Sequence, residues 1–484
     1  MRAKVKRSYA AAAALLALTT ASGCAVGPNF KRPAPPQTSS FMPAEAKRTT
    51  PATPDSQTIV EGMDIPGRWW AVFHSEALDE LVKDALAHNA DVAAAEAALR
   101  QSRELLYAQR GALMPQVGVE ADALRSRTSA TIAPVLANNN LTYNLYTPQV
   151  TVSYAPDVFG GVRRQIESAA ARAESQRFQT EAAYLTLTSN VVQAALLETS
   201  LREQIAATRE IIATETKLLD LMRKQHTAGQ ISGADVALQE TTLAQAEQTL
   251  PPLEKQLAQE RDLLAELAGR YPSQGPARTI ELADLALPHE VPAGLPSSLV
   301  ERRPDIRAAE ANLHEASAEV GVAVAARLPV ITLTANGGSA AETIASLASS
   351  PNLFWTVAGG LTQPIFQGGQ LLHQQRAAEA AYTEAREQYR STVLQAFQNV
   401  ADAMQALQLD DDALNAAVRA ERSAAHSLDI SQKQVQLGEV SAITLLNSEQ
   451  AYHQTRIALI QARAARFTDT VALFQALGAG GWPT

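Results

Sequence analysis

The chain of 484 residues has one thiol, Cys24, and its neighbours decide what that thiol can do. Arg2, Lys4, Lys6 and Arg7 form a basic segment, Ala10 to Leu18 a short apolar one, and Ala21-Ser22-Gly23 a run of small residues. This is the pattern of an export signal cut before residue 24. A cysteine at such a cleavage site is placed to become an acylated amino terminus, and with no second cysteine an intramolecular disulfide is impossible. The remaining polar chemistry is sparse. The 8 histidines are scattered without metal-ligand spacing, and there is no HExxH, GxSxG or phosphate-cradling glycine loop. Neither enzyme activity nor a metal or cofactor is therefore expected. The densest charge, Asp410-Asp411-Asp412, reads as a solvated helix face.

Composition narrows the class further. A net charge of −9 offers no basic patch of the kind nucleic acid needs. No apolar run approaches the roughly 20 residues of a membrane-spanning helix, which excludes a helical inner-membrane protein. Aromatic residues are only 5% of the chain, so interiors must be built from Ala, Leu and Val at close helix–helix distances. The end of the signal looks like the lipobox of a bacterial lipoprotein, with Ala21 where Leu is usual. Ala25 rather than Asp after the cysteine favours the outer membrane.

The elements that must position these residues are long. Val162 to Ala228 and Gln370 to Leu437 contain no Gly or Pro, and a helix over either run would reach roughly 100 Å. Each run opens on a Phe-and-Gly turn and closes on a Gly followed three residues later by Ser: Gly229 and Ser232, then Gly438 and Ser441. The chain is thus a tandem duplication with a period near 209 residues (438 minus 229). Val393, Phe397, Val400, Met404 and Leu407 recur at spacings of four and three, a seam that packs helix against helix. A helical pattern from Glu76 to Arg110 precedes the first run, and a return helix follows each. Pro251-Pro252 should break or kink the first return helix. Half-apolar strands flank exposed loops in both copies: Gln116 to Ala123 with Val150 to Tyr154, and Val330 to Ala335 with Phe354 to Pro364. The expected organisation is a signal peptide (1–23), a lipidated Pro-rich tether (24–66), a first repeat of helix, hairpin, long helix and return helix (67–270), a linker (271–296) and a second repeat (297–484).

Four strands with one apolar face cannot stand alone in lipid, where open sheet edges are not tolerated, and bacterial barrels have at least eight strands. Other copies must complete them: two chains give 8 strands and three give 12. At this point the chain resembles the TolC-like outer-membrane factors, and within them the NodT-type lipoproteins of RND efflux systems. The resemblance rests on Gly23-Cys24-Ala25-Val26-Gly27-Pro28 with Arg32-Pro33, on Trp69-Trp70 with Phe73, on the stretch Leu299 to Glu310, and on Pro364-Ile365-Phe366-Gln367-Gly368-Gly369.

The resemblance implies an α+β membrane protein: a homotrimer whose four strands per chain build a 12-stranded outer-membrane β-barrel, with the duplicated helical hairpins forming a periplasmic α-barrel. It implies a passive exit duct for drugs, other small toxic compounds or metal ions, fed by a periplasmic adaptor and an inner-membrane RND pump. An exit duct for protein secretion and a lipid-anchored spacer without a pore are the alternatives. The adaptor would dock at the turns holding Gly229, Ser232, Gly438 and Ser441, where Gly permits a left-handed turn and Ser can cap the next helix. The periplasmic gate would be lined by Ile443, Thr444 and Asn447, with Asn447 where relatives commonly carry Asp. Glu439 and Glu449 lie nearby, their orientation not legible from spacing.

Overall fold

The computed structural model describes residues 25–36, 38, 40–41, 57–60, 63, 65–129, 131, 140–275, 278–294 and 296–479. Cys24 and the signal peptide lie outside them. The chain divides into two compact units, each drawing segments from both sequence repeats.

The first unit, residues 1–32, 100–175 and 309–389, holds a four-stranded antiparallel sheet. Its strands are β2 (Gln116–Arg127), β3 (Thr142–Tyr154), β5 (Val330–Ser339) and β6 (Leu353–Thr362), hydrogen-bonded in that order. Each hairpin pairs within itself, and the two join through β3 and β5, where Val152 lies opposite Ala335. The register aligns apolar residues across all four strands. Val117, Val152, Ala335 and Val357 form one row, and Val119, Val150, Gly337 and Trp355 the next. Because neighbours along a strand point to opposite faces, Gln116, Glu120, Ser153, Thr151, Thr334 and Thr356 share the other side. One face is mainly apolar and the other mainly polar. The apolar face is uncovered: Val119, Trp355 and Val357 are exposed. The strands outrun the alternation visible in the sequence, with β3 beginning at Thr142 rather than near Val150.

The second unit, residues 33–99, 176–308 and 390–484, is mainly helical, and the first holds parts of several helices beside its sheet. With α1 at Glu76–His88 and α2 at Ala90–Gly111, the long helices are α3 (Gly161–Thr227) and α7 (Gln370–Gln436), and the return helices are α4 (Gly233–Leu267) and α8 (Ala442–Ala476). Between them α5 (Pro296–Arg302) and α6 (Pro304–Ala325) complete the series. Starts and ends of α3, α4, α7 and α8 all differ by 209 (370 minus 161, 436 minus 227, 442 minus 233, 476 minus 267). Runs of Ala, Gln, Glu and Arg sustain them, and Asp157 anchors the start of α3 by accepting from the Val162 and Arg163 amides at 3.0 and 2.9 Å. The seam on α7 is buried at Val393, Ala396, Val400, Ala403 and Leu407, with Phe397 and Met404 half-buried beside it.

Three expectations change. The helix from Glu76 to Arg110 is interrupted at Asn89, whose backbone is extended and whose Oδ1 accepts from the Asp91 and Val92 amides, so its side chain starts a new helix. The first return helix is not broken at Pro251-Pro252: α4 continues through both, because the two prolines are exposed and the carbonyls they leave unpaired can bond water. The tether and the linker are also more than connectors, since β1 (Thr58–Val60) pairs in parallel with β4 (Glu290–Pro292).

The core of this unit is aromatic despite the poor supply. Trp69 is fully buried, stacked on Phe474 at 5.6 Å and edge-on to Trp70 and Phe73, with Leu78, Leu81, Val82, Val191, Val192 and Leu196 around it. The motif around Arg303 has a structural purpose. Arg303 Nη1 donates to the Ala476 carbonyl at 2.9 Å, closing the end of α8, while Asp305 holds the guanidinium at 2.6 Å.

Candidate functional site

The turns joining each long helix to its return helix are built alike. Gly229 and Gly438 have positive φ, 69° and 73°, which an L-residue rarely adopts. Gly229 donates to the His226 carbonyl and Gln230 to the Gln225 carbonyl, and Gly438 and Glu439 do the same with Val435 and Gln434. These paired bonds close the helix ends and leave the tips exposed, Leu437 among them. The serines differ. Ser232 forms a full capping box with Asp235, whereas Ser441 makes no side-chain bond to the backbone of α8 and its hydroxyl meets Thr444 Oγ1 at 3.2 Å. The capping expected of Ser441 is absent because Thr444 stands where the first copy has Asp235, and a hydroxyl there pairs with the serine instead of leaving it to the amide.

Below the tips the two hairpins pack through Leu218, Met222, Leu445 and Leu446, with Ile231, Leu428 and Val435 beside them. Burying Leu445 and Leu446 turns the rest of the first turn of α8 outward. Ile443, Thr444 and Asn447 are all exposed, as their spacing of one and four residues requires of one helix face. Glu439 is exposed at the tip, and Glu449 is buried.

Glu449 belongs to a polar layer that sequence spacing did not reveal. Glu215 on α3 receives Gln239 Nε2 from α4 at 2.5 Å on its carboxylate and 3.1 Å on its carbonyl, and His453 Nε2 lies 3.8 Å from Glu215 Oε1. Among the described residues, Glu449 Oε2 and both ring nitrogens of His453 have no hydrogen-bond partner. Burial, then the charge of Glu215, pushes the Glu449 carboxyl up to about 7. Burial also raises Glu215, and it lowers His453 to about 4, with Arg456 adding to that and Glu210 opposing it. Beside this layer runs a groove of about 780 Å³ whose lining is mixed, with Gln245, Gln248, Gln450 and Gln454 beside Ile211, Leu253 and Ile457.

Farther along α7 and α8 lies a second buried charge cluster. Arg466 is 1% exposed and donates to Asp411 Oδ1 at 2.7 Å. Burial, then the neighbouring Asp469 carboxyl, raises Asp410 well above the usual carboxylate range, and Arg466 opposes this. The aspartate triplet is therefore not a solvated face throughout: Asp410 and Asp411 are half-buried, and Asp412 alone is exposed.

The sequence profile of the outer membrane efflux protein family matches this chain twice, over residues 81–270 and 295–479. This chain belongs to the outer membrane efflux protein family. Members with similar sequences include the pyoverdine export outer membrane protein OpmQ of Pseudomonas putida, 31% identical over 436 residues and spanning 89% of this chain and 92% of that one. The outer membrane protein OprJ of Pseudomonas aeruginosa is 28% identical over 485 residues, 99% of this chain and 97% of its own. The fold is similar to the MtrE outer membrane channel of Neisseria gonorrhoeae, with a TM-score of 0.81 and 25% identity over 94% of this chain and 98% of that one. The chain is an outer-membrane efflux protein of the α+β class, with helical hairpins and a four-stranded antiparallel sheet.

In this efflux protein the buried layer makes stability depend on pH. The folded state holds the Glu449 proton more tightly than the unfolded chain, so this contribution is full below pH 4.5 and is lost as pH rises through about 7. His453, lowered to about 4 by burial, contributes in the opposite sense over the acid part of that window, and wild type and Glu449→Gln share it. The urea midpoint of the wild type should therefore fall across the window relative to that of Glu449→Gln, which should be the more stable protein at its alkaline end. A difference between the two that does not change with pH would place the proton uptake elsewhere.

Proposed function

We propose that three copies close their sheets into a 12-stranded outer-membrane barrel and their hairpins into a periplasmic tube, forming a passive exit duct. The observation that carries this is the sheet: strands of 10 to 13 residues, one mainly apolar face, and two outer strands, β2 and β6, that pair on one side only. Such lengths suit tilted membrane strands, and unpaired edges in lipid must be completed. Lipid on Cys24 anchors the chain in the outer membrane. An inner-membrane pump of the RND type and a periplasmic adaptor deliver the cargo, and the adaptor docks at the turns holding Gly229, Ser232, Gly438 and Ser441. Cargo of the small-molecule class fits relatives named for pyoverdine export and toluene efflux. Single-channel recording in planar bilayers tests the duct. Discrete conductance steps are expected, and a protein that inserts without conducting would be a spacer.

The exposed face of Ile443, Thr444 and Asn447 lines the periplasmic gate. Three copies of Asn447 form a neutral ring whose amides can hydrogen-bond without repelling one another. Asn447→Asp would gather three carboxylates and raise their affinity for divalent cations. Divalent block from the periplasmic side should appear in the variant, fade as acid protonates the ring, and be weak in the wild type. Equal block in both proteins would remove Asn447 from the constriction.

A further inference from the structure

Residues 25–32, directly after Cys24, are not a loose tether but a strap fastened at several points. Its key is Arg164, at the start of α3 and 3% exposed. Arg164 Nε donates to the Val26 carbonyl at 3.0 Å, and Nη2 donates to the Gly27 carbonyl at 3.4 Å and Asn29 Oδ1 at 2.8 Å. Nη1 is held by Glu167 Oε2 at 2.6 Å. Glu167 in turn bonds His314 Nε2 at 2.9 Å, and the His314 ring stacks on Phe30 at 4.3 Å. The Val26 amide donates to the Phe159 carbonyl, and Arg32 pairs with Glu310 at 2.9 Å.

Glycines make the seat. Gly27 has φ 88°, and a Cβ there would lie 2.5 Å from Gly321 Cα. A Cβ on Gly321 would lie 2.9 Å from the Arg164 stem, and one on Gly160 would lie 2.5 Å from Ala25 Cα. The strap is thus pressed into the corner where β3 gives way to α3. Cys24 precedes Ala25 by one peptide, about 3.8 Å between Cα atoms.

We propose that Arg164 is a positioning residue for the lipid anchor: by gripping Val26, Gly27 and Asn29 it holds the acylated residue at the strand-to-helix corner, so that the acyl chains enter the leaflet beside the end of the apolar sheet face. A buried guanidinium serving three acceptors and one carboxylate suits this work because its fork matches several oxygens at once, which a lysine ammonium cannot do. The proposal rests on the reading that Cys24 is acylated. Anchoring at this corner tethers the sheet to the bilayer in the register it needs for insertion. Anchoring through a released strap leaves the lipid inserted but the sheet free to wander from it.

The test begins with the intact mass of membrane-extracted wild type, in which an unmodified Cys24 would overturn the anchor itself and this proposal with it. Given an acylated wild type, Arg164→Gln and Gly27→Ala should keep the acyl mass while trypsin cuts after Lys31 at least about tenfold faster. Their membrane-inserted fraction, read as resistance to urea extraction, should fall severalfold, and Arg164→Lys should restore little of it. The same substitutions are then placed on Cys24→Ser behind an ordinary cleavable signal. If Arg164 works by placing the lipid, they should cost little more in that background. Equal losses with and without lipid, or unchanged cleavage after Lys31, would overturn the positioning role and leave Arg164 a packing residue.

Discussion

Arg466→Leu should cost about 3–5 kcal/mol of folding stability, the range for breaking a buried ion pair by removing one partner. The side chain is almost wholly enclosed and bonds Asp411 at 2.7 Å, while Asp410 and Asp469 share the same pocket. Without the guanidinium Asp411 loses its partner and Asp410 the positive charge beside it, and leucine supplies no hydrogen-bond donor to replace it. The loss should shrink as pH falls and the carboxyls take up protons, since protonation removes the charges left unpaired. Adding Asp410→Asn should recover part of it, so the double variant should be more stable than the sum of the single losses. Urea unfolding of the detergent-solubilised protein, followed by circular dichroism, reads all three. A cost below about 1 kcal/mol would mean that Asp411 relaxes to solvent when its partner is removed.

Trp69→Ala should cost a similar amount, about 3–5 kcal/mol, by emptying the centre of the aromatic cluster. The indole contacts Trp70, Phe73 and Phe474 and is 0% exposed, so its removal leaves a void lined by rings that cannot easily collapse. Trp70→Phe should cost less, about 1 kcal/mol, because it chiefly removes the bond from Trp70 Nε1 to Asp79 Oδ1 at 2.9 Å. The urea midpoints should rank wild type, Trp70→Phe, Trp69→Ala in falling order. The reverse ranking would move the core away from Trp69.

The features most legible in the sequence were those set by local periodicity. Spacings of four and three through Val393, Phe397, Val400, Met404 and Leu407 mark a helix seam whatever lies opposite, and Gly229 and Gly438 mark turns because few other residues tolerate their φ. Alternation along Gln116 to Ala123 likewise identifies a sheet face before its neighbours are known. What spacing could not show depends on the partner helix. Glu449 and Asp410 look like ordinary surface charges until α3 and α8 are laid beside them. Asn89 passes for a helical residue because its neighbours keep the apolar period, yet its side chain supplies a competing acceptor for two amides. Thr58–Val60 is too short to display any alternation, and only its pairing with Glu290–Pro292 makes it a strand.

Native mass spectrometry of the protein extracted in mild detergent tests the shared barrel most directly. Each chain supplies four strands with two edges left to pair, so on the proposed barrel three copies are expected as a single species that resists dilution. A stable monomer would contradict the shared barrel, because four strands cannot close in lipid, and a stable dimer would replace it with one of eight strands.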